Sequence, residues 1–348
     1  MPMAKDRIIT RDSHPLDAPV EAEAARALRP QCMDDYVGQS KLRERLMIAL
    51  DAVKQRQEPM EHILLHGPPG LGKTTLAHII AHEMGTRAYV TSGPALTKGG
   101  DLVGTLTRMQ PGDILFIDEI HRLPAAVEEY VYPAMEDFKI DFTLDAGVHA
   151  KVVTYHLKPF TLIGATTRAG LLTGALRSRF GLSHRIDYYQ HDELVEILQR
   201  ALARLGIKEV PADAVQEIAK RSRGTPRIGL RLMRRARDFA QVKRNGRLDM
   251  QVVAEALELE GVDDHGLDAL DRLYLSTLMN TYGGGPAGLE AIAASMGEDP
   301  GTLEDVVEPY LLQIGFLART RQGRQITAAG QDWVGESSPG NSGSSGLF

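Results

Sequence analysis

The chain has 348 residues, 43% of them hydrophobic, with a formal net charge of −6 and a pI near 6.0. At roughly 150 residues per domain that length suits two or three globular domains. The acidic balance excludes a nucleic-acid binder that works by bulk positive charge, so any DNA contact has to be a local patch.

Residues 1–24 show no periodicity and read as a polar arm. Met1–Thr10 is charged and has no apolar stretch, which excludes a signal peptide. No apolar run approaches membrane-spanning length. The single cysteine, Cys32, allows no disulfide within the chain and suits a cytoplasmic setting. A segment through Leu28, Arg29, Tyr36 and Val37 is broken at Gly38. A helix is expected over Ser40–Gln57, with Leu42, Leu46, Ile48, Leu50 and Val53 as its apolar positions and Ser40 as N-cap.

Ile63-Leu64-Leu65 reads as a buried strand, and Gly67-Pro68-Pro69-Gly70-Leu71-Gly72-Lys73-Thr74 follows it. This is the G-x-x-x-x-G-K-[ST] phosphate-binding loop, in the strand–loop–helix context that the motif requires. Its glycines let backbone N–H groups turn toward phosphate oxygens, and the helix N-terminus adds positive dipole. Lys73 is expected to reach the β- and γ-phosphates and Thr74 to hold Mg²⁺. Tyr89-Val90-Thr91 reads as a short strand. Asp113–Ile120 then runs through four apolar residues into Asp118-Glu119. Such a run suits a strand covered on both faces, which delivers its acids to the C-terminal sheet edge where open α/β sheets bind ligands. Asp118 fits a Mg²⁺-directing carboxylate, and Glu119 fits a base that polarises the attacking water.

Period-two alternation over 138–158, with a turn at Asp145-Ala146-Gly147, predicts a β-hairpin. Two readings stand side by side: the hairpin packs on its own domain, or it offers an apolar docking surface to a partner. A buried strand over Phe160–Gly164 leads to Thr166, Thr167 and Arg168, where a hydroxyl can touch a γ-phosphate or its attacking water. Leu176–Phe180 sets Arg177 and Arg179 beside an aromatic. A further strand is expected over Arg185–Tyr189.

Near 190 the pattern turns helical, with helices expected over Glu193–Leu205, Ala212–Arg221, Arg227–Asn245 and Asp249–Leu259. Most of the arginines there read as solvated or subunit-facing. Arg227 differs, because a cation in a first helical turn opposes the helix dipole and implies an anion nearby. Residues 261–335 read as a winged helix. Its helices are expected over Gly266–Thr281, Leu289–Met296 and Thr302–Ile314, with a ribbon over 316–327 turning at Gln322-Gly323. Between 263 and 341 the only Lys or Arg residues are Arg272, Arg319, Arg321 and Arg324, against about a dozen acids. A DNA role is therefore confined to the ribbon and acts through phosphates. The competing reading is a protein-interaction winged helix. The Gly/Ser-rich stretch 336–348 reads as a tail.

Taken together, these motifs resemble the RuvB family, the AAA+ motors of Holliday-junction branch migration. The resemblance spans about residues 24–334. It rests on Leu28-Arg29-Pro30, Asp34–Gln39, His66–Thr75, Phe116–Arg122, Met135-Glu136-Asp137, Gly164–Gly170, Arg223–Ile228 and Glu308-Pro309-Tyr310-Leu311. It implies an AAA+ parallel-sheet domain over 25–189, a helical lid over 190–260 and a winged-helix domain over 261–335. It further implies ATP/ADP with Mg²⁺ as cofactors. Leu28, Arg29, Tyr36 and Val37 are implied around the adenine and ribose, Gly70, Gly72, Lys73, Thr74 and Thr75 around the phosphates, and Tyr189 as a further nucleotide contact. Glu136, Asp137 and Phe138 are implied to be further nucleotide contacts. Thr167 matches sensor 1, Arg227 matches sensor 2, and Arg179 matches an arginine finger lent to a neighbouring subunit. Arg319, Arg321 and Arg324 are implied to hold DNA backbone. The implied partners are duplex DNA at four-way junctions, a RuvA-type protein at the hairpin, a RuvC-type resolvase, and five further copies in a homohexamer. The hairpin tip Leu144–His149 departs from the family pattern. A clamp-loader-like or initiator-like AAA+ switch, without processive translocation, is the alternative function.

Overall fold

A computed structural model describes residues 28–143, 152–207 and 209–337. The expected arm 1–24, the hairpin tip 144–149 and the tail beyond 337 lie outside the described residues.

Cα packing divides the chain into two compact units. Residues up to Lys208 form one, together with Gly224–Arg227; Glu209–Arg223 and the residues from Ile228 onward form the other. The first unit is built on five parallel strands in the order β2-β3-β6-β1-β7. These are β1 (Ile63–His66), β2 (Ala88–Ser92), β3 (Ile114–Asp118), β6 (Thr161–Thr166) and β7 (Leu182–Arg185). Ile63–Leu65, Ile114–Ile117 and all of β6 are buried, as expected for apolar strands covered by helices on both faces. The helices of this unit are α1 (Ser40–Arg56), α2 (Lys73–Met84), α3 (Gly99–Leu106), α4 (Ala125–Glu136), α5 (Gly174–Ser178) and α6 (His191–Arg204). Gly85 closes α2 in a left-handed cap at φ 66°, its N–H bonding to Ala81 and His82 carbonyls.

Two boundaries in this unit differ from expectation. The last strand is Leu182–Arg185, not Arg185–Tyr189. β1 ends at His66 and pairs in register from Ile63↔Leu182 to His66↔Arg185, so no ladder partner remains further along. Ile186 and Tyr189 are apolar because they are buried beyond the strand, not within it. Helix α1 begins at Ser40, but its cap is Gln39 in a left-handed conformation (φ 51°), so Ser40 does not cap it.

The hairpin forms as β4 (Lys139–Thr143) with β5 (Val152–His156), antiparallel and separate from the main sheet. Ile140 and Leu157 are buried in the core with Phe160 and Leu162. Val153 and Tyr155 remain exposed, at 38% and 44%. The base therefore packs on its own domain, and β5 carries apolar side chains outward.

The second unit contains α7 (Ala212–Lys220), α8 from Ile228 to its end at Lys243, and α9 (Met250–Leu259); the first turn of α8 (Pro226–Lys243) belongs to the first unit. A winged helix follows: α10 (Ala269–Tyr282), α11 (Leu289–Met296), a π turn at Leu303–Val307, α12 (Glu308–Gln313), the ribbon β8 (Leu317–Thr320) and β9 (Gly323–Ile326), and α13 (Ala328–Ser337). Asp268 caps α10 by accepting from Leu270 and Asp271 amides. The core gathers Tyr274, Leu278, Ile292, Leu311, Phe316 and Trp333. Arg221 and Arg223 belong to the buried interior rather than to a solvated face. Arg221 pairs with Glu217 at 2.7 Å and Asp264 at 2.6 Å, and Arg223 pairs with Asp271 at 2.6 Å and Asp268 at 3.0 Å. The expected helix Thr302–Ile314 is broken by the π turn, and α13 runs through Ser337, so positions 336 and 337 of the expected tail are helical. The ribbon turns at Arg321-Gln322, one residue earlier than expected, since Thr320 pairs with Gly323.

Candidate nucleotide site

β1, β6 and β3 are adjacent in the sheet, so their C-terminal ends bring three motifs to one edge. The loop after β1 turns through Gly67 (φ 145°), Gly70 (φ 79°) and Gly72 (φ 94°). A Cβ at Gly67 would sit 2.2 Å from the Ile186 carbonyl oxygen, and one at Gly70 would sit 2.7 Å from Thr225 Cγ2. The loop thus has both the conformation and the close packing that only glycine accepts. Gly67→Ala is expected to cost about 2 kcal/mol or more through strain and displacement of Ile186. Thermal unfolding checks this, and an unchanged Tm would contradict it.

Lys73 opens α2 and is buried. Its Nζ donates to the carbonyls of Gly67 and Pro68, both at 2.8 Å. Burial pulls its ammonium down to about 8, aided by nearby Arg227 and opposed by Asp118 and Glu119. A bound phosphate supplies negative charge that favours the protonated form. Nucleotide affinity is therefore expected to be flat below pH 8 and to weaken as pH rises through 8 and Lys73 of the free protein loses its proton. Binding titrations between pH 7 and 9.5 check the sign; tighter binding at pH 9.5 would contradict it. Thr74 and Thr75 follow Lys73 on the first turn, both half-buried.

Asp118 ends β3 and Glu119 turns away in a left-handed conformation, φ 47°. Asp118 Oδ1 accepts the Glu119 amide at 3.0 Å. Glu119 Oε2 accepts from Thr167 Oγ1 at 3.4 Å and lies 3.3 Å from His121 Nδ1. Thr166, at the end of β6, is fully buried, with its Oγ1 2.8 Å from the same His121 nitrogen. His121 had no expected role, yet it ties Glu119 to the strand that carries Thr167.

The segment before α1 closes one side of the loop. Leu28, Tyr36 and Val37 are buried and Arg29 is half-buried. Tyr189 donates its hydroxyl toward Tyr36 Oη at 3.0 Å and the Leu71 carbonyl at 3.3 Å. Burial pushes the Tyr36 phenol up to about 12, so both tyrosines stay neutral. Arg204 of α6 holds the Leu28 carbonyl at 3.0 Å and Asp35 at 2.9 Å. Arg227 approaches from α8, its amide donating to Gly70 O at 3.4 Å.

Arg179 gathers with a different set. Its guanidinium lies 4.4 Å over the Tyr132 ring, and it bonds Glu136 at 3.0 Å and the Ala175 carbonyl at 2.6 Å. Its Nε is buried and has no hydrogen-bond partner among the described residues. Asp137 pairs with Lys139, and Phe138 stacks edge-on against Phe160. Glu136, Asp137 and Phe138 thus share a neighbourhood with Arg179, whose described partners do not include the loop residues. No group of three or more His, Cys, Asp or Glu suited to a metal occurs among the described residues. A divalent ion at the loop would accordingly rely on Thr74, Asp118 and phosphate oxygens, the donor set Mg²⁺ commonly uses with nucleotides.

Comparison with known proteins accounts for nearly the whole described chain. Residues 28–186 match the RuvB P-loop domain of the Holliday junction DNA helicase, 189–263 the RuvB AAA lid domain, and 264–335 the RuvB C-terminal winged helix domain. The Holliday junction branch migration complex subunit RuvB of Desulfosudis oleivorans is 52% identical over 338 residues, covering 95% of this chain and 98% of the relative. The Myxococcus xanthus subunit is 53% identical over 323 residues, covering 93% of each. Among solved structures, the Thermotoga maritima RuvB Holliday junction branch migration motor superposes with a TM-score of 0.81 at 49% identity, covering 89% of this chain and 98% of that one. With three family models in succession and half its residues shared with full-length relatives, the chain belongs to the RuvB family.

Proposed function

We propose that this chain is the ATP-hydrolysing subunit of a Holliday-junction branch migration complex, acting as a homohexameric ring that draws duplex DNA along. The observation that carries the reading is the convergence of Lys73, Asp118, Glu119 and Thr167 on one sheet edge while Arg179 keeps company with Glu136. Within one subunit, Leu28, Arg29, Tyr36 and Val37 flank the base and ribose, and Tyr189 is a further nucleotide contact. Gly70, Gly72, Lys73, Thr74 and Thr75 cradle the phosphates. Thr74 and Asp118 would hold Mg²⁺, which would supply positive charge against the phosphate oxygens. Glu119 polarises the water that attacks the γ-phosphorus, Thr167 fixes the Glu119 carboxylate, and ADP leaves with the bridging oxygen. Arg227 carries the state of the loop into α8. Arg179 serves the nucleotide of the adjacent copy, with Glu136, Asp137 and Phe138 beside it.

The domains take the ranges 25–189 for the ATPase, 190–260 for the lid and 261–335 for the DNA-binding head. Exposed Val153 and Tyr155 on the hairpin suit an apolar partner surface, and the partner we propose for it is a RuvA-type protein; a RuvC-type resolvase joins the larger complex. Arg319, Arg321 and Arg324 contact the phosphate backbone of duplex DNA. The setting is cytoplasmic. Particle mass measured alongside ATP turnover, with and without duplex DNA, tests the shared site. The expected result is a six-membered particle whose turnover rises steeply with assembly; full turnover by an isolated monomer would refute it.

A further inference from the structure

The winged helix buries two carboxylates for which the nucleotide reaction has no use: Asp271, which pairs with Arg223, and Glu308. Glu308 is 0% exposed. It opens α12 directly after the π turn, where its amide reaches back to the Leu303 carbonyl. Pro309 accounts for the wide turn, having no N–H to give and a ring that pushes on the carbonyl four residues back. Glu308 Oε1 accepts from Tyr274 Oη and Arg324 Nε, both at 2.9 Å. Its Oε2 accepts from Arg319 Nε at 2.7 Å, with Arg319 Nη2 at 2.5 Å and Arg324 Nη2 at 3.4 Å. One carboxylate is thus gripped side-on by two guanidinium groups.

The same two arginines are register partners across the ribbon. On the far side, Arg324 exchanges both backbone hydrogen bonds with Ala287, at 2.7 and 2.9 Å. A Cβ at Gly323 would lie 2.4 Å from the Ala287 carbonyl oxygen, so these backbones are in the closest contact that glycine permits. A guanidinium carries five N–H groups. The Nε–H and one Nη2–H of each engage Glu308, leaving three; Arg319 Nη1 and Arg324 Nη2 also lie 4.0 and 3.9 Å from Glu304 Oε1, a looser pair at the half-exposed rim, and Arg319 keeps 42% of its side chain exposed. Arg321, at the turn, is exposed and has no ion-pair partner among the described residues.

We infer that Glu308 is the positioning residue of the DNA wing: it holds Arg319 and Arg324 side-on, so that their outer edges meet backbone phosphates in a fixed geometry. Ordering two long side chains beforehand removes an entropy cost from binding. The inference rests on the reading that the wing binds DNA backbone, and the test separates the two.

Full-length chains are titrated with a fluorescent duplex over a salt series. An Arg319→Ala/Arg324→Ala double variant is expected to bind more than tenfold weaker, with a log–log salt slope shallower by about two. Glu308→Gln is expected to bind about tenfold weaker, its slope shifted toward that of the double variant, with nucleotide affinity at the P-loop unchanged. Tyr274→Phe keeps the ring and removes one donor to Glu308; it is expected to shift slope and affinity the same way by less, and it decides the matter if Glu308→Gln fails to fold. Wild-type slopes in the Glu308 and Tyr274 variants, whatever their Tm, overturn the positioning role, as does tighter binding. Wild-type binding by the double variant overturns the wing reading itself.

Discussion

An Arg179→Ala chain is expected to hydrolyse ATP about a thousandfold more slowly than the parent while still binding nucleotide, the scale on which arginine fingers act. Its guanidinium stacks on Tyr132 and bonds Glu136, both from α4. Those contacts hold a planar, permanently charged fork in place, which a lysine would not reproduce. The stronger form of the expectation concerns mixtures. A Lys73→Ala chain lacks the loop lysine but keeps Arg179, whereas an Arg179→Ala chain keeps the lysine and lacks the proposed finger. Co-assembled, they create interfaces where an intact loop faces an intact arginine, and turnover is expected to recover. Confirmed co-assembly with no recovery would mean that each subunit completes its own site.

Glu119→Gln is expected to slow turnover by about 10²–10⁴-fold, the range associated with a positioned proton acceptor. Glutamine has the same shape and still accepts from Thr167, which now meets Glu119 at 3.4 Å. The left-handed turn at 119 is unaffected by the change. Nucleotide affinity and Tm should therefore stay close to the parent, with Tm reflecting a surface-like change within about 0.5 kcal/mol. Turnover within threefold of the parent would remove Glu119 from the chemistry. A collapse of nucleotide binding would instead recast it as part of the cradle.

The nucleotide edge was legible because its signals are local and redundant. Ile63–Leu65, the glycine loop and the helix after Lys73 lie within about twenty residues, and each constrains the next. Thr167 and Asp118 were legible because apolar strands of this kind can only deliver their polar ends to the sheet edge. What escaped depends on pairing across the chain. The last strand slid to Leu182–Arg185 because its register is set by β1, not by its own composition. The ribbon turn moved by one residue for the same reason, putting Arg321 at the tip and Arg319 opposite Arg324. Glu308 stood out only as part of the Glu308-Pro309-Tyr310-Leu311 motif, with no role attached, because nothing local distinguishes a carboxylate that arginines at 319 and 324 will bury. The burial of the arginines at 221 and 223 was hidden in the same way, since, apart from Glu217 one turn before Arg221, their acids arrive from 264, 268 and 271.

On the proposed function, hydrolysis at Gly67–Thr74 is spent on moving DNA. A branch-migration assay on a synthetic four-way junction tests it most directly, run with ATP, with a non-hydrolysable analogue, and with and without a RuvA-type partner. ATP-dependent conversion of the junction to duplex products is expected, accelerated by the partner, absent with the analogue, and absent for Glu119→Gln. Junction binding and ATP turnover without any displacement of strands would contradict it and leave a DNA-bound switch in place of a motor.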